Sequence, residues 1–201
     1  MFVITVLGKQ LPCLFDSSIT DQAKLHGAAS DVVEMANRIN GGEWSEAQKN
    51  AFLGTNRIVF FEKVMWHGAA MTRPFMDQEA ATFYWEIDEF LTDGIDGPRR
   101  PTFFFHDCWH LAQYRKLGGS AKNIADEVDR EVDATDRQIE CATVLGCDQP
   151  FLDYLTAYRN DRAAIEARIR AGYEPGAKKQ DCCKVALAPK PKKPKRRWPF
   201  G

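Results

Sequence analysis

The ten residues from Thr92 to Pro101 cannot form one continuous helix. They contain two Asp-Gly steps and two prolines. These residues favour turns, because glycine tolerates a positive φ and proline has no backbone N–H to donate. Apolar residues recur at helical spacing on both sides of this segment. The sequence therefore predicts a mainly α-helical protein with an Asp/Gly/Pro loop between two sets of helices.

Apolar spacing and helix-end signals place the predicted helices. Residues 2–8 are predicted to form a short strand or a buried apolar anchor. Ser45 and Gln48 form a capping-box signature, and Gly118 with Gly119 marks the end of a helix. The predicted helices cover residues 31–39, 45–71, 76–91, 103–117, 121–144 and 148–172.

The length of 201 residues fits one domain with appendages. Residues 1–75 are predicted to be an N-terminal helical segment of unknown role, residues 76–172 to hold the catalytic helices, and residues 173–201 to be a disordered tail. From residue 177 onward the chain carries nine Lys or Arg against one acidic residue, although its overall formal charge is −1. An acidic body therefore carries a basic, Pro/Lys-rich tail.

The sequence predicts neither a secretory signal nor a membrane-spanning stretch. The N-terminal apolar run is short and has no positively charged start. The expected location is cytoplasmic at synthesis, with peripheral membrane binding or export by a signal-less route as further expectations. The six cysteines lack paired CxxC spacing, so they are expected to stay mostly reduced. The state of Cys182 and Cys183 is left open.

Adjacent His106 and Asp107 are the first candidates for chemistry. In a helix they differ by about 100° around the axis, so they face different neighbours. His106 and His110 are four residues apart and share a face. The next helix is expected to return antiparallel, which can bring Asp126 or Asp129 against His106. A carboxylate on one ring nitrogen fixes the tautomer and leaves the other nitrogen free as a base.

Asp107 and the oxygen atoms of the preceding loop are candidate ligands for a hard cation. Asp107 can join Asp93 and Gly94, because calcium binds carboxylate and backbone carbonyl oxygens in flexible loops. A cation beside a His-Asp pair supplies a base, a Lewis acid and an oxyanion stabiliser. This combination predicts attack of water on an ester.

Several short motifs follow one another along residues 90–136. They are the metal-type loop Leu91–Ile95, Pro101, Phe103–Phe105, the pair His106-Asp107, Tyr114-Arg115 and the turn Gly119-Ser120. In this order they resemble the small secreted phospholipases A2, in the compact bacterial and fungal branch. The resemblance implies an antiparallel helix pair with a short metal-binding loop.

The resemblance also assigns a role to each matching residue. It makes His106 the base that activates water, and Asp129 the residue that orients His106. It makes Asp107, the Asp93 side chain and the Gly94 carbonyl the ligands of Ca²⁺. The implied function is calcium-dependent hydrolysis of phospholipid acyl esters, with a phospholipid or membrane surface as partner. Delivery of the protein as a toxin is one variant of this expectation.

Two other kinds of metal site stay open. A metal-dependent phosphohydrolase of the HD type would use His67, His106 and Asp107, together with a later aspartate, on an all-α fold. A carboxylate-bridged metal protein on a helical bundle is the second, although its expected Glu-x-x-His pairs are missing. Its ligands would be Glu62, Glu86, His106 and His110.

The basic tail supports a non-enzymatic alternative. It combines clustered Lys and Arg with Trp198 and Phe200. Each basic residue near an anionic lipid surface contributes about 1 kcal/mol of attraction. The protein could therefore be an adaptor that docks on membranes or protein partners through its tail. The acidic body predicts no specific binding of nucleic acid.

Overall fold

A computed structural model describes residues 1–62, 64–66, 69–71, 75–92 and 97–172 of the chain. The strands of this part are β1 (Phe2–Val6), β2 (Lys9–Phe15), β3 (Arg57–Phe61), β4 (Val64–Trp66), β5 (Ala69–Met71), β6 (Phe75–Asp77) and β7 (Thr82–Glu86). Its helices are α1 (Gln22–Gly41), α2 (Glu46–Gly54), α3 (Ile87–Phe90), α4 (Arg99–Leu117), α5 (Ile124–Val144), α6 (Gln149–Asn160) and α7 (Arg162–Gly172). The prediction of a mainly α protein is confirmed. Within the described ranges, no helix combines the length and the apolar character needed to cross a bilayer.

A mixed sheet of five strands forms one layer of the fold, in the order β1-β2-β3-β7-β6. The inner pairs β2–β3 and β3–β7 are parallel, and the outer pairs β1–β2 and β6–β7 are antiparallel. Strands β4 and β5 form a separate antiparallel pair. The sequences RIVFF of β3 and TFYWE of β7 are rich in aromatic and β-branched residues, which favour strands, and β7 is buried along its whole length.

The helices predicted over residues 45–71 and 76–91 are wrong for most of their length. Helix α2 keeps the predicted capping box at Ser45, but it ends at Gly54 and strand β3 follows. The second span contains β6 and β7 before the four-residue helix α3. A short apolar run fits a buried strand as well as a helix. Pairing of β3 with β7 resolves the ambiguity in favour of strands.

The chain is not divided after residue 75 as predicted. Strand β3 pairs with β7 across that point over five residue pairs, from Arg57–Thr82 to Phe61–Glu86. Residues from both sides of the point also share one hydrophobic core. The N-terminal residues therefore supply β1, β2 and β3 to the common sheet and are not a separate helical segment. The predictions for residues 173–201, including Cys182 and Cys183, lie outside the described residues.

The C-terminal helices follow the predicted order with shifted ends. Helix α4 starts at Arg99, inside the predicted loop, and a helix tolerates Pro101 in its first turn. It ends where predicted, at Gly118, whose φ of 73° suits glycine. Helix α5 starts at Ile124, slightly later than predicted. The last predicted helix is interrupted at Asp161, which separates α6 from α7.

One face of α4 packs into the core. The ring of Phe104 lies 5.1 Å from that of Phe83 in β7, and the ring of Phe105 lies 4.9 Å from that of Phe52 in α2. Leu111 is fully buried on the same face. This packing anchors α4 to both α2 and the sheet. The apolar face of α4 thus sets the orientation of the helix and of its polar face.

Candidate metal centre

Helices α4 and α5 pack antiparallel and enclose the candidate site. Gln138 of α5 donates a hydrogen bond to Thr102 near the start of α4, at 3.4 Å. Near the end of α4, Gln113 donates to the carbonyl of Arg130, which lies earlier in α5, at 2.9 Å. The polar face of α4 therefore meets α5 along most of its length.

His106, His110 and Glu131 bring three possible ligand atoms together between these helices. The two histidine Nε2 atoms lie 3.0 Å apart. Nε2 of His110 lies 3.1 Å from Oε2 of Glu131, and Nε2 of His106 lies 3.6 Å from Oε1. The four-residue spacing places both imidazoles on one face of α4, and antiparallel α5 supplies the carboxylate.

These separations suit a small tetrahedral cation. Zinc–nitrogen bonds of about 2.0–2.1 Å at a tetrahedral angle place two ligand atoms about 3.3–3.4 Å apart. The observed separations, from 3.0 to 3.6 Å, lie on both sides of that value. Calcium instead takes about six to eight oxygen ligands. The three side chains therefore form a group that could hold a metal ion.

Gln113 holds His110 in the tautomer that a metal requires. Its amide nitrogen donates to the Arg130 carbonyl at 2.9 Å and to Asp133 at 2.8 Å, and Asp133 also accepts from the Trp109 indole at 2.7 Å. The Gln113 carbonyl oxygen therefore faces Nδ1 of His110, at 2.9 Å, and Nδ1 donates to it. A proton on Nδ1 leaves the Nε2 lone pair of neutral His110 free for a cation.

The imidazole of His106 is less constrained. Its ring lies edge-on to that of His110, with the ring centroids 4.7 Å apart. Its Nδ1 atom is buried and has no hydrogen-bond partner within the described part of the chain. A cation on Nε2 of His106 would keep the proton on Nδ1 and so would select one tautomer.

Glu131 is the centre of the polar network. Its Oε1 accepts a hydrogen bond from the hydroxyl of Tyr158 at 3.0 Å and also pairs with the guanidinium of Arg168. Burial alone would raise the pKa of Glu131. The hydrogen bonds and charges of His106 and His110 outweigh burial and hold that pKa well below its usual range. The carboxylate is therefore ionised and available as a ligand.

Glu131 also controls the charge of His110. Burial by itself lowers the pKa of His110, but the hydrogen bond that His110 donates to Glu131 and the charge of that carboxylate outweigh burial and raise the pKa to about 9. In the metal-free protein, His110 therefore carries a second ring proton, on Nε2, at neutral pH. Metal ligands must be deprotonated, so a cation would displace this proton.

The three side chains line a cavity of about 510 Å³. Trp85 of β7, Phe103 of α4, and Tyr154 with Leu155 of α6 form its apolar wall. Asp107 also lines the cavity and is half-buried. Burial raises the pKa of its carboxyl group to about 6. The cavity therefore combines an apolar wall with a carboxylate beside the possible metal ligands.

The predicted orienting residue, Asp129, is not brought to His106. Its side chain is 66% exposed and forms an ion pair with Arg162 at 2.5 Å. Glu131, two residues later on α5, is the carboxylate within reach of His106. The two positions differ by about 200° around the helix axis, so they face different neighbours. The predicted pairing of His106 with Asp129 is therefore replaced by a pairing with Glu131.

The other predicted ligands do not join this cluster. Asp93, Gly94 and His67 lie outside the described residues, so the calcium loop and the HD-type site stay predictions. Glu62 pairs with a lysine of α1, and Glu86 accepts a backbone hydrogen bond at the start of α3. Those contacts hold both glutamates in other parts of the structure.

Glu131, Tyr158 and Arg168 are site residues that the sequence patterns above do not identify. One available signal is the order His106-Asp107-x-x-His110, which places two histidines and an intervening acid on one helix. An acidic residue on the next antiparallel helix is then the expected third ligand. Tyr158 and Arg168 carry no such signal, because only tertiary packing brings them to Glu131.

No family model matches the chain, and no curated protein or solved structure matches it. The phospholipase A2 resemblance of residues 90–136 therefore stays a prediction from sequence.

Proposed function

We propose that the protein is a divalent-metal-dependent hydrolase that uses zinc or a similar transition metal. His106, His110 and Glu131 hold the cation. The observation that carries this proposal is the convergence of their ligand atoms, at 3.0, 3.1 and 3.6 Å. Two histidines and one glutamate form a known ligand set of catalytic zinc sites, which keep a fourth position for water or substrate.

Asp107 supports hydrolysis over a purely structural metal site. In zinc metalloproteases, the acid that follows the first histidine of a His-Glu-x-x-His helix acts as the general base. Asp107 occupies that position here, with a side chain shorter by one methylene. Its pKa of about 6 places it closer to neutral pH than an ordinary aspartate, which suits proton exchange with water.

The proposed reaction is hydrolysis of an amide or ester that enters the cavity. A bound divalent metal would acidify water and polarise the substrate carbonyl. Asp107 accepts the proton as the water oxygen bonds to the carbonyl carbon, and later returns it to the leaving nitrogen or oxygen as the scissile bond breaks. Gln113 keeps the Nε2 lone pair of His110 directed toward the centre. The apolar wall offers a surface on which the uncharged part of a substrate can pack.

Calcium-dependent hydrolysis of phospholipid esters stays the alternative proposal. It shares His106 and Asp107 with the zinc proposal, but it needs Asp93 and Gly94 as metal ligands and Asp129 as the orienting residue. The exposed ion pair of Asp129 with Arg162 does not favour it. The nitrogen ligands beside Glu131 also favour a transition metal over calcium.

The test is metal analysis of the full-length protein, followed by activity assays of one variant. We expect about one zinc per chain and hydrolysis of a broad peptide or ester library that chelation stops and zinc restores. Asp107→Asn should lower activity about 100- to 10,000-fold and leave the zinc content intact, because it removes a base and not a ligand.

Asp129→Asn is the matched control, because it changes an acid that lies outside the cavity. Its activity should equal that of the unmodified protein. Bound calcium, with fatty-acid release from phospholipid vesicles that Asp129→Asn abolishes, would instead establish the alternative. A protein that binds no divalent metal would contradict both proposals.

A further inference from the structure

The two oxygen atoms of Glu131 have different partners. Oε1 accepts hydrogen bonds from the Tyr158 hydroxyl, at 3.0 Å, and from the Arg168 guanidinium. Oε2 faces Nε2 of His110 at 3.1 Å, whereas Nε2 of His106 lies 3.6 Å from Oε1, beyond hydrogen-bond distance. The residues that contact Oε1 come from α6 and α7, whereas the histidines come from α4.

This division matters because each carboxylate oxygen has about two lone-pair sites. Both sites of Oε1 are occupied by the N–H and O–H donors of Arg168 and Tyr158. Oε2 has His110 as its close partner and keeps a second lone pair that a cation could use. A cation between the imidazoles would therefore meet one oxygen of Glu131 and not both.

We infer that Tyr158 and Arg168 are positioning residues that commit Glu131 to holding the cation through Oε2 alone. This inference rests on the metal site of the proposed function. Its chemical consequence is an open coordination position. A carboxylate that binds through both oxygens would fill the position that catalytic zinc sites keep for water or substrate.

Arg168 is distinguished from two similar arginines that pair with α5. Arg159 pairs with Asp136, and Arg162 pairs with Asp129. Those two carboxylates are 39% and 66% exposed, whereas the Glu131 side chain is 11% exposed. Of the three arginines, Arg168 is the one that lines the cavity.

Tyr158 and Arg168 also hold each other in place. The guanidinium carbon of Arg168 lies 4.9 Å from the centre of the Tyr158 ring. Stacking of this kind fixes the planar guanidinium so that its N–H groups point in a defined direction. The pair therefore acts as one preorganised donor unit for Oε1.

The experiment measures the zinc dissociation constant and the visible spectrum of the cobalt-substituted protein. Tyr158→Phe and Arg168→Met are compared with Arg162→Met, which removes an α7–α5 ion pair outside the cavity. We expect zinc affinity to fall about 10- to 100-fold in the first two variants and to be unchanged in the control. The zinc affinity of Arg168→Lys should lie between that of Arg168→Met and that of the control, because lysine keeps the charge but lacks the planar guanidinium.

The cobalt spectrum gives the readout that a merely structural role would not change. The unmodified protein should show the intense absorption of four-coordinate cobalt, and both variants should show the weaker absorption of a higher coordination number. Unchanged zinc affinity, or an unchanged cobalt spectrum, in both variants would overturn the inference and leave the metal site standing. Absence of zinc binding by the unmodified protein would overturn the inference and the proposed function together. Tyr158→Phe removes one hydroxyl group, so it remains informative if Arg168→Met does not fold.

Discussion

Helix α5 presents carboxylates to two different regions of the molecule. Glu131 lines the cavity, where two histidines, a tyrosine and an arginine lie against it. Asp129 points outward and pairs with one arginine. Both acids have an arginine partner on α7, so charge pairing alone does not distinguish them. Burial and the number of partners separate the candidate ligand from the surface acid.

The comparison also bears on why Glu131 is buried. Removing a carboxylate from water is costly, and replacing a buried ionic cluster with apolar side chains is often neutral or stabilising. A stability role is therefore a weak explanation for Glu131 in this position. A ligand role explains why the chain keeps an ionised group between two imidazoles.

The largest expected effect comes from removing each carboxylate in turn from the metal-free protein. Glu131→Ala should lower the free energy of unfolding by about 3–5 kcal/mol, because it leaves the protonated, half-buried His110 without its carboxylate partner. Asp129→Ala should lower it by less than about 1 kcal/mol. Urea unfolding in excess chelator measures both. Equal losses of unfolding free energy in the two variants would contradict the proposed difference between the buried and the exposed carboxylate.

A change of pH is expected to have a smaller effect on the free energy of unfolding, again with the protein kept metal-free by excess chelator. Burial lowers the folded-state pKa of His110, but Glu131 raises it more strongly and Asp107 adds to the rise, so that the pKa is about 9. The contribution of protonated His110 to the stability of the fold is therefore complete below its ordinary pKa of about 6.5, and it is lost as pH rises through about 9. Glu131 has a lowered pKa, so its own contribution is lost only in acid, below about pH 4.3.

Urea unfolding at about pH 6.5 and about pH 9.5 tests this prediction. The unmodified protein should be less stable at the higher pH. His110→Gln should reduce the difference, because it removes the titrating group and leaves the other neighbours of Glu131, His106 and Arg168, in place. An identical pH dependence in His110→Gln would show that the stability change arises elsewhere.

The smallest expected effect concerns the exposed ion pair between Asp129 and Arg162. A double-mutant cycle with Asp129→Asn and Arg162→Met should give a coupling energy of at most about 1 kcal/mol, and this coupling should fade at about 1 M salt. The same cycle on Glu131 and Arg168 should keep its coupling at high salt, because the Glu131 carboxylate is buried. Equal salt sensitivity would contradict the assigned burial.

Signals confined to one helical turn predict the structure well. The capping box at Ser45 and the glycine end of α4 at Gly118 lie where the sequence places them. The start of α6 after Asp148 also agrees with its sequence, because the Asp148 side chain accepts from the backbone N–H of Phe151. Each of these features depends on residues that are neighbours in the chain.

Strands β3 and β7 show where local reasoning fails. Their short apolar runs, IVFF and FYW, lie within spans that also fit helical spacing. Their conformation depends on parallel pairing between segments that are distant in the sequence. The predicted helices over these residues were therefore excluded by tertiary contacts and not by composition.

The site was predictable in part. The shared helix face of His106 and His110, and the return of an antiparallel helix, follow from spacing and from the turn at Gly118. Asp126, Asp129, Asp133 and Asp136 recur at helical spacing on one face of α5, and Glu131 does not belong to this series. The burial of Glu131 arises because α6 and α7 pack on its face of α5, which the sequence of α5 does not encode.

The placement of Tyr158 and Arg168 has a consequence for how the protein is made. Arg168 follows Glu131 by 37 residues. The ribosome therefore releases the two histidines and Glu131 before it releases Tyr158 and Arg168, which orient the Glu131 carboxylate. A nascent chain can form its aromatic interior while the candidate metal centre is still incomplete. The order of synthesis thus postpones assembly of the candidate site until α6 and α7 supply Tyr158 and Arg168.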